Sequence, residues 1–359
     1  MMIIRPVTRE DQTAIYELAG KTGIGFTSLP ENNQLIEQRI ERMLKTREGG
    51  ATKAEQGYLF VLEDTELNKV VGVSGIETAL GLIEPWYNYH VGTLTNASKE
   101  LGIYNQMETL TLSNNHTGYS ELCTLFLDPE YRHSKNGHLL SKARLLFIAQ
   151  FKEHFSEKLI AEMRGVSDEK GVSPFWESLG RHFFTIDFSY ADYLTGIGKK
   201  SFIAELMPTH PLYVNFLTPE AQEVIGKTHK NTIPARKILE SEGMRYGGYV
   251  DIFDAGPTLE TYVNDLRIVK TLGVWPIKIV SEASADQSTC EVSVPYMVSN
   301  QRFSEFRAML ITPIFSDSHL IITEVQAKAL HLSSGDSVSA APLFPAVNKN
   351  LKEAQNVAA

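Results

Sequence analysis

The stretch ELCTLFLDPEYRHSKNGHLLSKARLLFIAQF, residues 121 to 151, restricts the fold of this chain more than any other. Glu121 to Leu127 is an apolar run of strand length, and Asp128 with Pro129 ends it because proline cannot donate to a ladder. A short basic loop follows, and from about Gly137 the residues Leu139, Leu140, Ala143, Leu146, Phe147 and Phe151 recur at helical spacing. The spacing predicts one apolar stripe packed on a sheet. A strand that hands over at once to a helix belongs to a layered α/β protein.

The flanking segments extend that pattern. MIIRPV predicts a strand, and TREDQTAIYELAG a helix opened by a capping box of Thr8 and Asp11 and stopped at Gly20. ENNQLIEQRIERMLK carries Leu35, Ile36, Ile40, Met43 and Leu44 on one helical face. GYLFVLED and KVVGVSGIE, separated by TELN, predict an antiparallel hairpin. Residues 78 to 118 form a mixed insertion rich in Asn, Tyr and Gly with no assignable pattern. EKLIAEMRG predicts a strand, SPFWESLG a short helix between Ser173 as cap and Gly180 as terminator, and RHFFTIDF a further strand. TPEAQEVIG and TIPARKILESEGMRYGGYVDIFD then echo the theme of proline, helix, glycine and aromatic strand, either as a degenerate second copy or as the ordinary grammar of α/β chains.

The expected fold is therefore α/β (α+β), with a mixed, mainly antiparallel sheet and helices on both faces. Its parts are residues 1–195, a second half over 196–270, a β-rich region over 271–345 and a polar tail over 346–359.

Composition excludes several functions. A chain of 359 residues with a net charge of −9 lacks the extended positive field that nucleic acid or an anionic membrane surface requires. MMIIRPVTRE has no apolar signal core, and no apolar run is long enough to span a bilayer, so a cytoplasmic protein is expected. Cys123 and Cys290 are too few for a disulfide framework, and no His-Glu-x-x-His or carboxylate cluster predicts a metal site.

On an acidic chain, the loop from Arg132 to Gly137 stands out. Unpaired N–H groups at a helix start can seat a diphosphate, and Arg132, His133 and Lys135 add local charge. Taken alone, a basic turn of this kind is equally a solvated surface. The order of elements and the residues from Glu121 to Phe151 resemble the GNAT N-acetyltransferase superfamily, whose diphosphate loop reads Q/R-x-x-G-x-G/A after its fourth strand. Arg132 and Gly137 match it, and Lys135 stands where the first glycine is usual.

Longer strings, among them KTGIGFTSLPEN, SELCTLFLDPEYR, AEMRGVSDEKGVSPFWESLG and AQEVIGKTHKNTIPARKILESEGMRY, are similar to the arginine N-succinyltransferase family over most of residues 1 to 270. That resemblance implies succinyl-CoA as co-substrate with no permanently bound cofactor, L-arginine as acceptor, a CoA contact at Leu125 and His229 as the proton donor; the motif match adds CoA contacts at Arg132 and Gly137, and the charge of Lys135 adds a fourth. It leaves open an arginine/ornithine succinyltransferase subunit and a non-catalytic CoA-binding regulator, and it leaves homo-oligomerisation as a default. On residue type alone His229 is an ordinary loop histidine, Leu125 a core leucine, and Cys123 an apolar-face thiol rather than a nucleophile.

Overall fold

The computed structural model describes residues 1–22, 28–196, 205–282, 294–316 and 318–345. Cys290, the tail from 346, and parts of the strings around 23–27 and 202–204 lie outside the described residues. Along the chain the strands are β1 (Met2–Pro6), β2 (Gly57–Asp64), β3 (Lys69–Glu77), β4 (Asn88–Ser98), β5 (Ile103–Ser113), β6 (Ser120–Leu127), β7 (Lys158–Glu162) and β8 (Leu212–Tyr213). They continue with β9 (Arg245–Val250), β10 (Pro257–Tyr262), β11 (Gly273–Val280), β12 (Tyr296–Ser299), β13 (Ala308–Ile311), β14 (Ile314–Ser316), β15 (His319–Thr323) and β16 (Ser337–Pro342).

These strands join edge to edge in the order β14-β15-β11-β16-β12-β13-β1-β2-β3-β6-β7-β10-β9-β4-β5-β8. Among the described pairs only β6 with β7 and β11 with β15 run parallel, so the sheet is mixed and mainly antiparallel, as expected. The C-terminal strands enter through β13, whose Ala308 faces Ile4 of β1. The unassigned insertion is a long hairpin of β4 and β5 that pairs with β9 and β8.

Three helices matter most for the site: α1 (Gln12–Ala19), α2 (Asn33–Arg47) and α3 (Asn136–Gln150). α1 follows a short turn in which the Asp11 carboxylate accepts the Thr8 N–H at 2.7 Å, the predicted capping contact. α2 begins at Asn32, whose side chain accepts from Gln34 and Leu35 N–H, and it buries Ile36, Ile40, Met43 and Leu44. α3 departs from the single-stripe expectation: Lys142 and Arg144 are buried along with its apolar residues. The cause is long-range, because helices Ile233–Ser241 and Arg267–Thr271 and strands β12 and β13 pack around α3 beside the sheet. Phe147 sits within aromatic contact of Phe60, Phe303 and Phe306, at centroid distances of 5.0, 5.5 and 5.0 Å.

RHFFTIDF is not a strand. After helix Pro174–Ser178 the chain makes a tight turn over Gly180–His182 and re-enters helix at Phe188–Gly196. Its aromatic residues act as anchors: Phe184 stacks on Trp176 at 5.3 Å, and the Trp176 indole donates to the Ile186 carbonyl at 3.1 Å. Gly180 serves close packing, since a Cβ there would lie 2.4 Å from the Trp176 ring.

Candidate functional site

The site is built around β6. Its pairing with β3 passes from Val73↔Phe126 to Gly75↔Cys123, so an extra residue is inserted and the strand bulges. Thr124, in the bulge, has φ of 49°, the left-handed region that a β-branched residue occupies only under constraint. Two features supply the constraint. Gly75 leaves room, since a Cβ there would lie 3.0 Å from Cys123 Sγ. Arg144 reaches the bulge from α3, donating through Nη1 to the Cys123 carbonyl at 2.9 Å and through Nε to the Ser141 carbonyl at 3.2 Å. Burial pushes the Arg144 pKa down to about 10, which still leaves it charged at neutral pH.

On its other edge β6 pairs with β7 only at Ser120↔Leu159 and Glu121↔Ile160. β7 then follows β10, with Thr258 opposite Glu162 and the Met163 N–H donating to the Pro257 carbonyl at 3.0 Å. The two strands therefore part. From Leu122 onward no strand among the described residues covers that edge, and Leu125 lies half-buried within it. An open sheet edge is a row of donors and acceptors ready for an extended ligand.

His229 is fixed to the far side of this split. Its N–H donates to the carbonyl of Arg164, two residues past the end of β7, at 2.8 Å. Its own carbonyl accepts the Thr232 N–H at 2.8 Å as the next helix begins. The Asn231 N–H donates to His229 Nδ1 at 3.2 Å, so the neutral ring carries its proton on Nε2. Desolvation, with Arg164 and Lys230 nearby, holds the His229 pKa below the ordinary imidazole value.

The opposite end of β6 runs into the helix start. Asp128 accepts the Glu130 N–H and pairs with Lys21 at 2.6 Å, while Asn136 donates to the Tyr131 carbonyl at 3.1 Å, closing the loop on itself. Arg132 bonds the Leu127 carbonyl through Nε at 3.1 Å, and Arg132 and Lys135 are both exposed. Lys135 takes φ of 67°, which explains why related loops favour glycine at this position. The N–H groups of Gly137 and His138 have no acceptor among the described residues. A Cβ on Gly137 would meet only Leu127 Cδ2, at 3.8 Å, so no close contact among the described residues calls for glycine there. Amides without an acceptor among the described residues and two exposed cations at the start of a 15-residue helix are the chemistry that suits an anion.

Leu125 thus lies on the open edge of β6 and the His229 backbone is tied to the chain just past β7, while the loop carries Arg132, Lys135 and Gly137 at one end of β6. Thr124 and Arg144 were not singled out by the sequence, although a guanidinium inside an apolar helical run was a signal. Cys123 is not activated: desolvation, with Glu77 and Glu121 nearby, pushes its thiol up to about 12.

Residues 2–268 match the arginine N-succinyltransferase beta subunit family, and residues 280–342 match the C-terminal domain family of that subunit. The chain belongs to the arginine N-succinyltransferase family. It is 57% identical over 344 residues to the arginine N-succinyltransferase of Yersinia pestis, covering 96% of this chain and 98% of that one. It is 52% identical over 338 residues to the Escherichia coli arginine N-succinyltransferase, covering 94% and 96%. Among solved structures it is similar to the arginine/ornithine succinyltransferase subunit AI of Pseudomonas aeruginosa, with a TM-score of 0.86 and 30% identity over 96% of this chain and 99% of that one. No helix among the described residues is long and apolar enough to cross a membrane.

Proposed function

We propose that the chain transfers the succinyl group of succinyl-CoA to the α-amino group of L-arginine, giving N2-succinyl-L-arginine and CoA. The observation that carries the reading is the parting of β6 from β7 directly ahead of the uncapped start of α3. A CoA diphosphate on the Gly137 and His138 amides, flanked by Arg132 and Lys135, lets the pantetheine run along the open β6 edge. The thioester carbonyl then meets the backbone around Leu125, where N–H donors stabilise charge as it develops on oxygen.

The neutral amine nitrogen attacks the carbonyl carbon, the C–N bond forms, and the carbonyl pair moves to oxygen. Its return expels the CoA sulfur, and one proton passes from nitrogen to sulfur. The neutral His229 ring suits a hydrogen-bond donor, through Nε2–H, to that sulfur as charge builds there, while the proton the sulfur takes up comes from the amine nitrogen. Transfer is direct, because a Cys123 thiol held near 12 supplies almost no thiolate at neutral pH.

The similarity to a subunit named for both arginine and ornithine keeps ornithine as a second acceptor. The test follows thiol release with succinyl-CoA or acetyl-CoA against arginine or ornithine. Release with succinyl-CoA and arginine is expected; tight CoA binding without release from any pair would instead make the chain a non-catalytic binder.

A further inference from the structure

On the face of the sheet covered by α2, next to the β6 bulge, lies a shallow hollow lined by Arg39 and Arg42 from α2 and by Tyr58, Glu77, Cys123 and Thr124. Its two guanidinium groups differ. Arg42 is satisfied: it pairs with both Glu77 oxygens at 3.0 and 2.6 Å and donates to the carbonyls of Glu55 and Gln56 at 2.6 and 2.8 Å. Arg39 meets no carboxylate among the described residues. It donates through Nη1 to the Ser28 carbonyl and to Thr124 Oγ1, the latter at 2.9 Å. With Arg42 neutralised by Glu77, the Arg39 charge is left over, tethered to the hydroxyl of the residue that makes the bulge.

A planar guanidinium with free donors is suited to a carboxylate. We propose that Arg39, oriented by Thr124 Oγ1, which accepts from it and itself donates to the Ser28 carbonyl at 3.2 Å, is the subsite for the free carboxylate at the far end of the acyl group, and so selects dicarboxylic monothioesters over uncharged acyl chains. The proposal rests on the succinyl-transfer reading. Two methylenes separate the thioester carbonyl of a succinyl group from its carboxylate, so the two carbons lie roughly one residue step apart, about 3.8 Å. A carbonyl held by the Leu125 backbone therefore puts the carboxylate beside Thr124, the position Arg39 touches. The bulge supplies both parts of the site: an extended backbone for the thioester and a displaced hydroxyl that aims the cation.

The test compares succinyl-CoA with butyryl-CoA, whose methyl replaces the carboxylate, in the full-length protein and in Arg39→Met and Arg39→Lys. For Arg39→Met, kcat/KM with succinyl-CoA is expected to fall on the order of 10²-fold while butyryl-CoA changes by less than about threefold, with Arg39→Lys in between. Equal losses with both esters would assign Arg39 a purely structural role through Ser28 and Thr124, and an unchanged succinyl preference would place the carboxylate elsewhere; either overturns the proposal. Calorimetric affinities of the two esters, measured without acceptor, read the subsite even if arginine is the wrong amine. A failure of arginine turnover is thereby separated from a failure of the subsite.

Discussion

The first turn of α3 and its middle turns both carry cations, and they use them in opposite ways. At the start, Arg132 and Lys135 are exposed and the amides of Gly137 and His138 have no acceptor among the described residues. In the middle, Lys142 and Arg144 are buried and hydrogen-bonded. Lys142 Nζ pairs with Glu242 at 2.7 Å and donates to the Leu343 carbonyl at 2.7 Å, and Glu242 also takes Arg267 at 2.6 Å and the Ile268 N–H at 3.2 Å. One helix thus carries solvent-facing cations at its start and a buried lysine paired with a buried glutamate in its interior. A site for a mobile anion has to leave donors unspent, whereas a buried cation is tolerated only when all its partners are in place.

The largest effect should come from breaking the interior. Glu242→Ala strands Lys142 in an apolar setting and should cost about 3–5 kcal/mol of stability by urea unfolding; a loss under about 1 kcal/mol would mean the network is not what tolerates the buried lysine. At the split, His229→Ala should lower kcat by about 10²–10⁴-fold with KM for succinyl-CoA nearly unchanged, and activity close to the parent would remove His229 from the chemistry. The pH profile sharpens this. Because the His229 pKa is depressed, the neutral ring persists below the ordinary value of about 6.5, so its limb in kcat should fall on the acid side of that pH. A limb above pH 7 would contradict it. The smallest effect is at the helix start: Lys135→Gly relieves a left-handed backbone and should stabilise the fold by about 1 kcal/mol. It should also flatten the salt dependence of CoA affinity, and an unchanged salt dependence would show a lysine that never meets the diphosphate.

The same contrast explains what could be read in advance. The exposed end of α3 is a local matter of turn residues, glycine and charge within residues 128 to 137, and Asn32, Ser173 and Thr218 cap their helices through equally local contacts. The interior was not legible, because Glu242, Arg267 and Leu343 lie at least 100 residues from Lys142 in the chain and nothing near Lys142 announces them. The β4–β5 hairpin escaped for another reason. Much of it is exposed, so no alternation of apolar and polar residues marks its strands. RHFFTIDF misled because its aromatics fill the Trp176 core from a turn, and composition alone does not separate that from a strand. His229 was named through resemblance; its tie to Arg164 at the end of β7 is what brings it to the split.

The central claim is that the amides opening α3 bind the diphosphate of CoA. Gly137→Ala tests it most directly, because the added methyl makes only an ordinary contact with Leu127 Cδ2 at 3.8 Å and would crowd a ligand held on the amides. Titration calorimetry with CoA and with pantetheine, which lacks the diphosphate, should show CoA affinity weakened by at least about tenfold, pantetheine affinity unaltered, and unfolding within about 1 kcal/mol of the parent. CoA binding as tight as the parent's, in a variant equally folded, would contradict the claim.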